Sequence, residues 1–153
     1  MASKIKLGDI FSISTEKGKG YLQLVKLPLD SSEVEKIKVF YSLHKNEEIL
    51  LEDIVVDDYF YISFPVKAAL KKKLIEKVGN IELPQNYKAP IYYRCENFLG
   101  EGWNIIDSEK DEYVEVGIKK LTKEQIKYSP DEVWNDTLLK EKLEEGWRLE
   151  DWK

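Results

Sequence analysis

Cysteine and histidine are almost missing from this chain: its 153 residues include one of each, Cys95 and His44. A single thiol excludes an internal disulfide framework and any zinc site built on several cysteines. A single imidazole excludes poly-histidine metal centres and leaves one side chain that ordinarily titrates near neutrality. No Gly-x-Ser-x-Gly turn is present to strain a serine nucleophile against that histidine. Long apolar runs are missing as well. Ile49 to Val56 is broken by charges and falls far short of the roughly 20 residues that a spanning helix needs. Met1 to Asp9 carries Lys4 and Lys6 but no apolar run of signal-peptide length. Together with a lone cysteine, which suits a reducing compartment, these absences predict a cytoplasmic chain with no membrane segment, and they remove much enzyme chemistry.

What is present is enough for a core. Hydrophobic residues make up 42%, aromatics 12% and charged residues 35%, a composition too rich in large apolar side chains for intrinsic disorder. A chain of this length buries about 70% of the surface it exposes when unfolded, so it needs no metal or disulfide staple. One domain spanning residues 1–153 is the economical expectation.

Periodicity predicts α+β architecture. Ile5, Leu7, Asp9, Phe11 and Ile13 alternate along a strand, with Asp9 interrupting an apolar set near Gly8. Glu16-Lys17-Gly18-Lys19-Gly20 reads as a hairpin turn, Tyr21 to Leu27 as the return strand and Ile37 to Leu43 as a third. The segment Glu47 to Val56 fits a helix or a strand. Tyr59 to Phe64 reads as a strand. Pro65 then opens a helix carrying Val66, Ala69, Leu70, Leu74 and Val78, with Gly79 as its cap. Ile91 to Cys95, Trp103 to Ile106 and Tyr113 to Ile118 predict further strands. Ser129-Pro130-Asp131-Glu132 carries the signature of a helix start, and Gly146 ends that helix. The predicted fold is an antiparallel, strongly curved sheet or small SH3-like barrel in the N-terminal half, with a mid-chain helix and a C-terminal helix packed on it.

The net charge of −5 conceals local asymmetry. Residues 31–58 hold eight acids and three bases, residues 59–99 three acids and seven bases, and residues 131–153 eight acids and four bases. Charge blocks are ordinarily solvated faces, but acidic segments can also steer a basic partner.

Most candidate chemistry has a plainer explanation. His44 ends a strand before Lys45-Asn46-Glu47-Glu48 and reads as an exposed turn histidine. Cys95, inside an apolar run, reads as a structural thiol, because the adjacent Arg94 points to the opposite face of a strand. The pairs Asp57-Asp58, Glu52-Asp53, Glu47-Glu48 and Asp111-Glu112 lack the spaced oxygens and glycine turn of a calcium loop; no metal or cofactor is expected. Gly18-Lys19-Gly20 is too short for a phosphate loop and feeds a strand. Lysines 67, 71, 72, 73 and 77, with tyrosines 87, 92 and 93, offer a nucleic-acid reading. The acidic overall balance disfavours it.

The tryptophans carry more. Trp134, Trp147 and Trp152 fall in the last acidic block, and Trp anchors rimmed by carboxylates suit a basic protein surface. The same side chains can equally pin the terminal segment onto the sheet. Trp134, Glu144, Glu145, Trp147, Asp151 and Trp152, with Asp57 and Asp58, are the candidate partner-binding residues; no catalytic residue is assigned.

Two motifs carry a resemblance. Gly8-Asp9-Ile10-Phe11 leads through Ile13 to Gly18, Gly20 and Tyr21, then Gln23-Leu24-Val25. Later comes Gly102-Trp103-Asn104-Ile105-Ile106. In kind, order and separation these resemble the Imm26-type immunity proteins of bacterial polymorphic toxin systems. Asp107 stands where that pattern leads one to expect glycine. The resemblance implies a protein that binds a cognate toxin and neutralises it without catalysis, the toxin's basic nuclease character being suggested by charge alone. A small phosphotriesterase is grouped with that family by similarity, so a hydrolase is the alternative implied. A nucleic-acid-binding or adaptor barrel is the third.

Overall fold

A computed structural model describes residues 4–28, 30, 33–45 and 48–153. The chain divides into two compact units, one of residues 1–87 and 133–147, the other of residues 88–132 and 148–153. The described residues are α+β, with eight strands in two open antiparallel sheets.

The first unit is built on a five-stranded sheet: β1 (Asp9–Thr15), β2 (Gly18–Lys26), β3 (Lys36–Phe40), β4 (Tyr59–Ser63) and β5 (Glu76–Asn80), in the order β4-β3-β2-β1-β5. Phe11 pairs with Leu22, Leu22 with Val39 and Val39 with Phe60, so these four form one cross-strand row on one face. That face carries Trp134 and Trp147, whose rings lie 5.4 and 5.0 Å from Phe60. The other face buries Ile10, Tyr21 and Phe40 against Ile54 of the short helix α1 (Leu51–Ile54). With cover on both faces, Asp9 to Ile13 are all buried, and strict alternation of burial is lost as expected for a two-sided sheet. The segment from Glu48 to Val56 thus contributes a helix; Asn46 and Glu47 lie outside the described residues.

Three expectations change. The first strand begins at Asp9 rather than Ile5, and Leu7 is 47% exposed. The helix after Pro65 is only α2 (Val66–Lys71). Lys73 turns the chain at φ 60° and β5 begins five residues after the helix ends, pairing antiparallel with β1. Gly79 is therefore a strand residue beside Leu51, whose side chain occupies the space a Cβ would need. The C-terminal helix, α3 (Asp136–Glu145), starts six residues later than Ser-Pro-Asp-Glu suggests. Asn135 is its cap, accepting the Leu138 N–H at 2.8 Å. Ser129 and Pro130 are instead spent beside Arg94, the Ser129 carbonyl accepting the Arg94 N–H at 3.0 Å. Gly146 caps α3 in the left-handed region at φ 72°, where glycine pays no Cβ penalty. Leu139 and Leu143 are the buried residues of α3, and Gly20 of β2 leaves room for Leu143, whose Cδ1 would lie 2.8 Å from a Cβ at that position.

The second unit is a three-stranded sheet of β6 (Tyr92–Glu96), β7 (Trp103–Asp107) and β8 (Glu112–Ile118), in that order. The outer side of β6 is covered by residues 129–131, since Asp131 N–H also donates to the Arg94 carbonyl at 2.9 Å. The pairing of β7 with β8 shifts register twice, between Trp103 and Ile105 and between Ile105 and Ile106. Bulges of this kind twist an edge strand and blunt it against further pairing.

Candidate interaction surfaces

Each candidate residue falls in one of the two units. In the first, Trp134 is 3% exposed and its ring lies 5.5 Å from Trp147. Both pack on Phe60, so Trp134 is a core residue and Trp147 is half-buried beside it. The structure therefore gives these two the pinning role. Glu145 is exposed and pairs with Lys142 at 3.3 Å, while Glu144 is half-buried and its carbonyl accepts the Lys17 ammonium at 2.9 Å. Asp57 accepts the Ser42 N–H and Asp58 the Tyr59 N–H, each at 2.9 Å. Those two carboxylates satisfy backbone donors beside β3 and β4, a local turn role.

In the second unit, Asp151 is exposed and Trp152 half-buried. Trp152 belongs to a cage around Arg94, which is fully buried. The guanidinium lies 4.7 Å from the Trp103 ring and 4.4 Å from the Trp152 ring. Its Nε donates to the Tyr128 carbonyl at 3.1 Å, one terminal nitrogen to Ile126 and Leu149 at 3.1 and 2.9 Å, and the other to Trp152. Four N–H groups are thus matched to carbonyls, and the two indole faces supply cation–π attraction. Burial pushes the guanidinium down to about 10, which leaves it charged at neutral pH. Arg94 holds the end of the chain rather than a ligand.

The structural reading of Cys95 agrees with its surroundings, whereas His44, expected as an exposed turn residue, is drawn into a bridge with Lys19 and packs on Tyr21. Cys95 is buried; burial pushes its thiol up, Asp131 adding to the shift. His44 is half-buried, exchanges two backbone hydrogen bonds with Lys19 at 2.8 and 2.9 Å, and sets its ring 5.5 Å from Tyr21. It borders a groove of about 510 Å³ lined by Leu43, Lys45, Glu48, Ile49, Leu50 and Asp53 as well. Of the aromatic residues considered for base stacking, Tyr93 is buried, and Tyr87 is hydrogen-bonded to Tyr61 at 2.7 Å with its ring 5.2 Å from Lys38. Lys77 is committed to Asp9 at 3.2 Å. Among the described residues no group of three or more His, Cys, Asp or Glu is placed to hold a metal ion, and no helix is long and apolar enough to cross a membrane.

Two surface features stand out. The first is acidic: within residues 131–153, Glu141 and Glu145 are exposed on the first unit, where Asp136, Glu144, Lys140 and Lys142 are half-buried, and Asp131, Glu132, Glu150 and Asp151 are exposed on the second, with Lys153 exposed and Arg148 half-buried. The second is apolar. The turn joining β6 to β7 carries Phe98 at 86% and Leu99 at 100% exposure. Sequence reasoning passed over this pair, although Asn97-Phe98-Leu99-Gly100 places two large apolar side chains inside turn chemistry.

Comparison with protein-family models, curated proteins and solved structures finds no match to this chain.

Proposed function

We propose that this protein works by binding another protein, in the cytoplasm, and that the partner is the cognate toxin of a bacterial polymorphic toxin system, which it neutralises without catalysis. The observation that carries the reading is the exposure of carboxylates in the last block. Six of its eight acids are exposed, Glu141 and Glu145 on the first unit and Asp131, Glu132, Glu150 and Asp151 on the second. Exposed carboxylates speed encounter with a basic protein through electrostatic steering. The motifs Gly8-Asp9-Ile10-Phe11 and Gly102-Trp103-Asn104-Ile105-Ile106 supply the family resemblance, and Trp103 sits at the Arg94 cage. Co-expression tests the reading. Where an open reading frame next to this gene encodes a toxin domain, cells expressing that domain are rescued by the chain, and charge reversal at Glu144, Glu145 and Asp151 weakens rescue; a neighbourhood without such a reading frame contradicts the proposal. Failure of the unmodified chain to rescue contradicts the proposal.

A further inference from the structure

We infer that β5 is a detachable strap, latched to the sheet by the Asp9 carboxylate, and that its release leaves β1 to β4 standing and bares the edge of β1. β5 is the outermost strand on that side and buries none of its own side chains: Glu76, Lys77 and Val78 are exposed, and Gly79 and Asn80 are half-buried. Its neighbour β1 is the opposite case, with Asp9 to Ile13 all buried. The ladder between them is interrupted. Ile10 pairs with Gly79 and Phe11 with Lys77, so Val78 is left over at a bulge. A strand with so little buried apolar surface belongs to the low end of local stability.

What holds β5 is largely polar and converges on one group. The Asp9 carboxylate is fully buried and accepts two side chains of β5, Asn80 Nδ2 at 2.9 Å and Lys77 Nζ at 3.2 Å, besides the Lys6 N–H at 2.9 Å. Asn80 Nδ2 also donates to the Leu7 carbonyl at 3.1 Å. Gly8, at φ +89°, lets the strap come this close, since a Cβ there would meet the Ile81 carbonyl and Asn80. Apolar contacts moor the strap at either end. Ile75 is buried, and Ile81 packs half-buried on the cluster of Ile10, Tyr21, Phe40 and Ile54, its carbonyl accepting Gln23 Nε2 at 2.9 Å. Between these moorings the strap relies on the bulged ladder, on Leu51 lying against Gly79 and on the bonds to Asp9. Opening it frees the outer N–H and C=O groups of β1, a template for an added strand.

Native-state amide exchange of the full chain at pH 7, followed residue by residue at low urea concentrations, tests this. Amides of β5 are expected to exchange faster than those of β2 and β3 and with little dependence on urea, as for an opening that exposes little surface. Asp9→Asn is expected to speed β5 exchange about 30-fold without steepening that dependence, the factor for losing a charged hydrogen bond. Asn80→Ala removes one donor and keeps the carboxylate; it should act in the same direction and replaces Asp9→Asn if that variant does not fold. β5 amides that share the rate and urea slope of β2 and β3 overturn the strap, because the strand then opens only with the whole sheet. A β5 rate left unchanged by Asp9→Asn, or by Asn80→Ala in its place, overturns Asp9 as the latch.

Discussion

Arg94 holds Trp152 twice: its guanidinium lies 4.4 Å from the indole ring and also donates to the same residue's carbonyl. A side chain from the first strand of the three-stranded sheet thereby fixes the last turn of the chain. Lysine at this position keeps the charge but cannot reach four carbonyls from one fork or stack between two indoles. Arg94→Lys is expected to cost about 3 kcal/mol, the lower end for breaking a buried charged network. Urea unfolding followed by tryptophan fluorescence checks it, because Trp103 and Trp152 report on the cage.

Asp9 is buried at the start of β1 and bound by the Lys6 N–H at 2.9 Å, by Asn80 at 2.9 Å and by Lys77 at 3.2 Å. Burial alone would push its carboxyl up; the bonds from Asn80, Lys6 and Lys77 outweigh that and hold it below the ordinary carboxylate value. The unfolded chain therefore binds the proton more readily than the folded one. The stabilisation is fully present above the unfolded value, about pH 4, and is lost as the pH falls through the folded one. Asp9→Asn sets one amide donor against Asn80 and the Lys6 N–H, and is expected to cost about 2 kcal/mol at pH 7, as for a charged hydrogen bond. Denaturant midpoints taken from pH 7 down to pH 3 should show the gap between parent and variant closing on acidification.

Trp134 and Trp147 meet on Phe60 with ring separations of 5.0 to 5.5 Å. Trp134→Ala is expected to lose about 3–5 kcal/mol, the range for removing a large buried aromatic. Trp147→Ala should lose less, since its ring is half-buried. Thermal unfolding of both variants gives the ranking; a Trp134→Ala protein of unchanged stability would remove the core role.

The Cys95 thiol is buried and pushed up by burial, with Asp131 and Glu132 adding to the shift and a hydrogen bond with Tyr113 opposing it. Thiolate is the reactive form. Labelling by a thiol reagent at pH 8 should therefore be slow in the native protein and fast in urea. A native rate close to the denatured one would contradict the burial.

Much of the sheet was legible because local pattern and final pairing agree: Tyr59 to Ser63, Trp103 to Asp107 and the hairpin around Glu16-Lys17 lie close to where alternation and turn residues put them. The misreadings share a cause, tertiary demand overriding a local signal. Val66 to Val78 carries a helical spacing, yet β1 has an open edge, and pairing with Glu76–Asn80 fills it. Ser129-Pro130 carries a capping signature, yet the adjacent edge of β6 takes those residues as a partner. The tryptophans were visible as a cluster in the sequence, but separation into Trp134 and Trp147 around Phe60 and Trp152 around Arg94 depends on contacts between residues far apart in the chain. Phe98 and Leu99 are the opposite case, with a signal present in the sequence from which nothing was drawn.

The central claim is recognition of a protein toxin, and calorimetric titration of the full chain with a toxin domain expressed from a neighbouring open reading frame tests it most directly. The account predicts stoichiometric binding whose affinity falls as salt screens the exposed carboxylates. Heats no different from dilution, at protein concentrations of about 50 μM where even a micromolar complex would form, would contradict it.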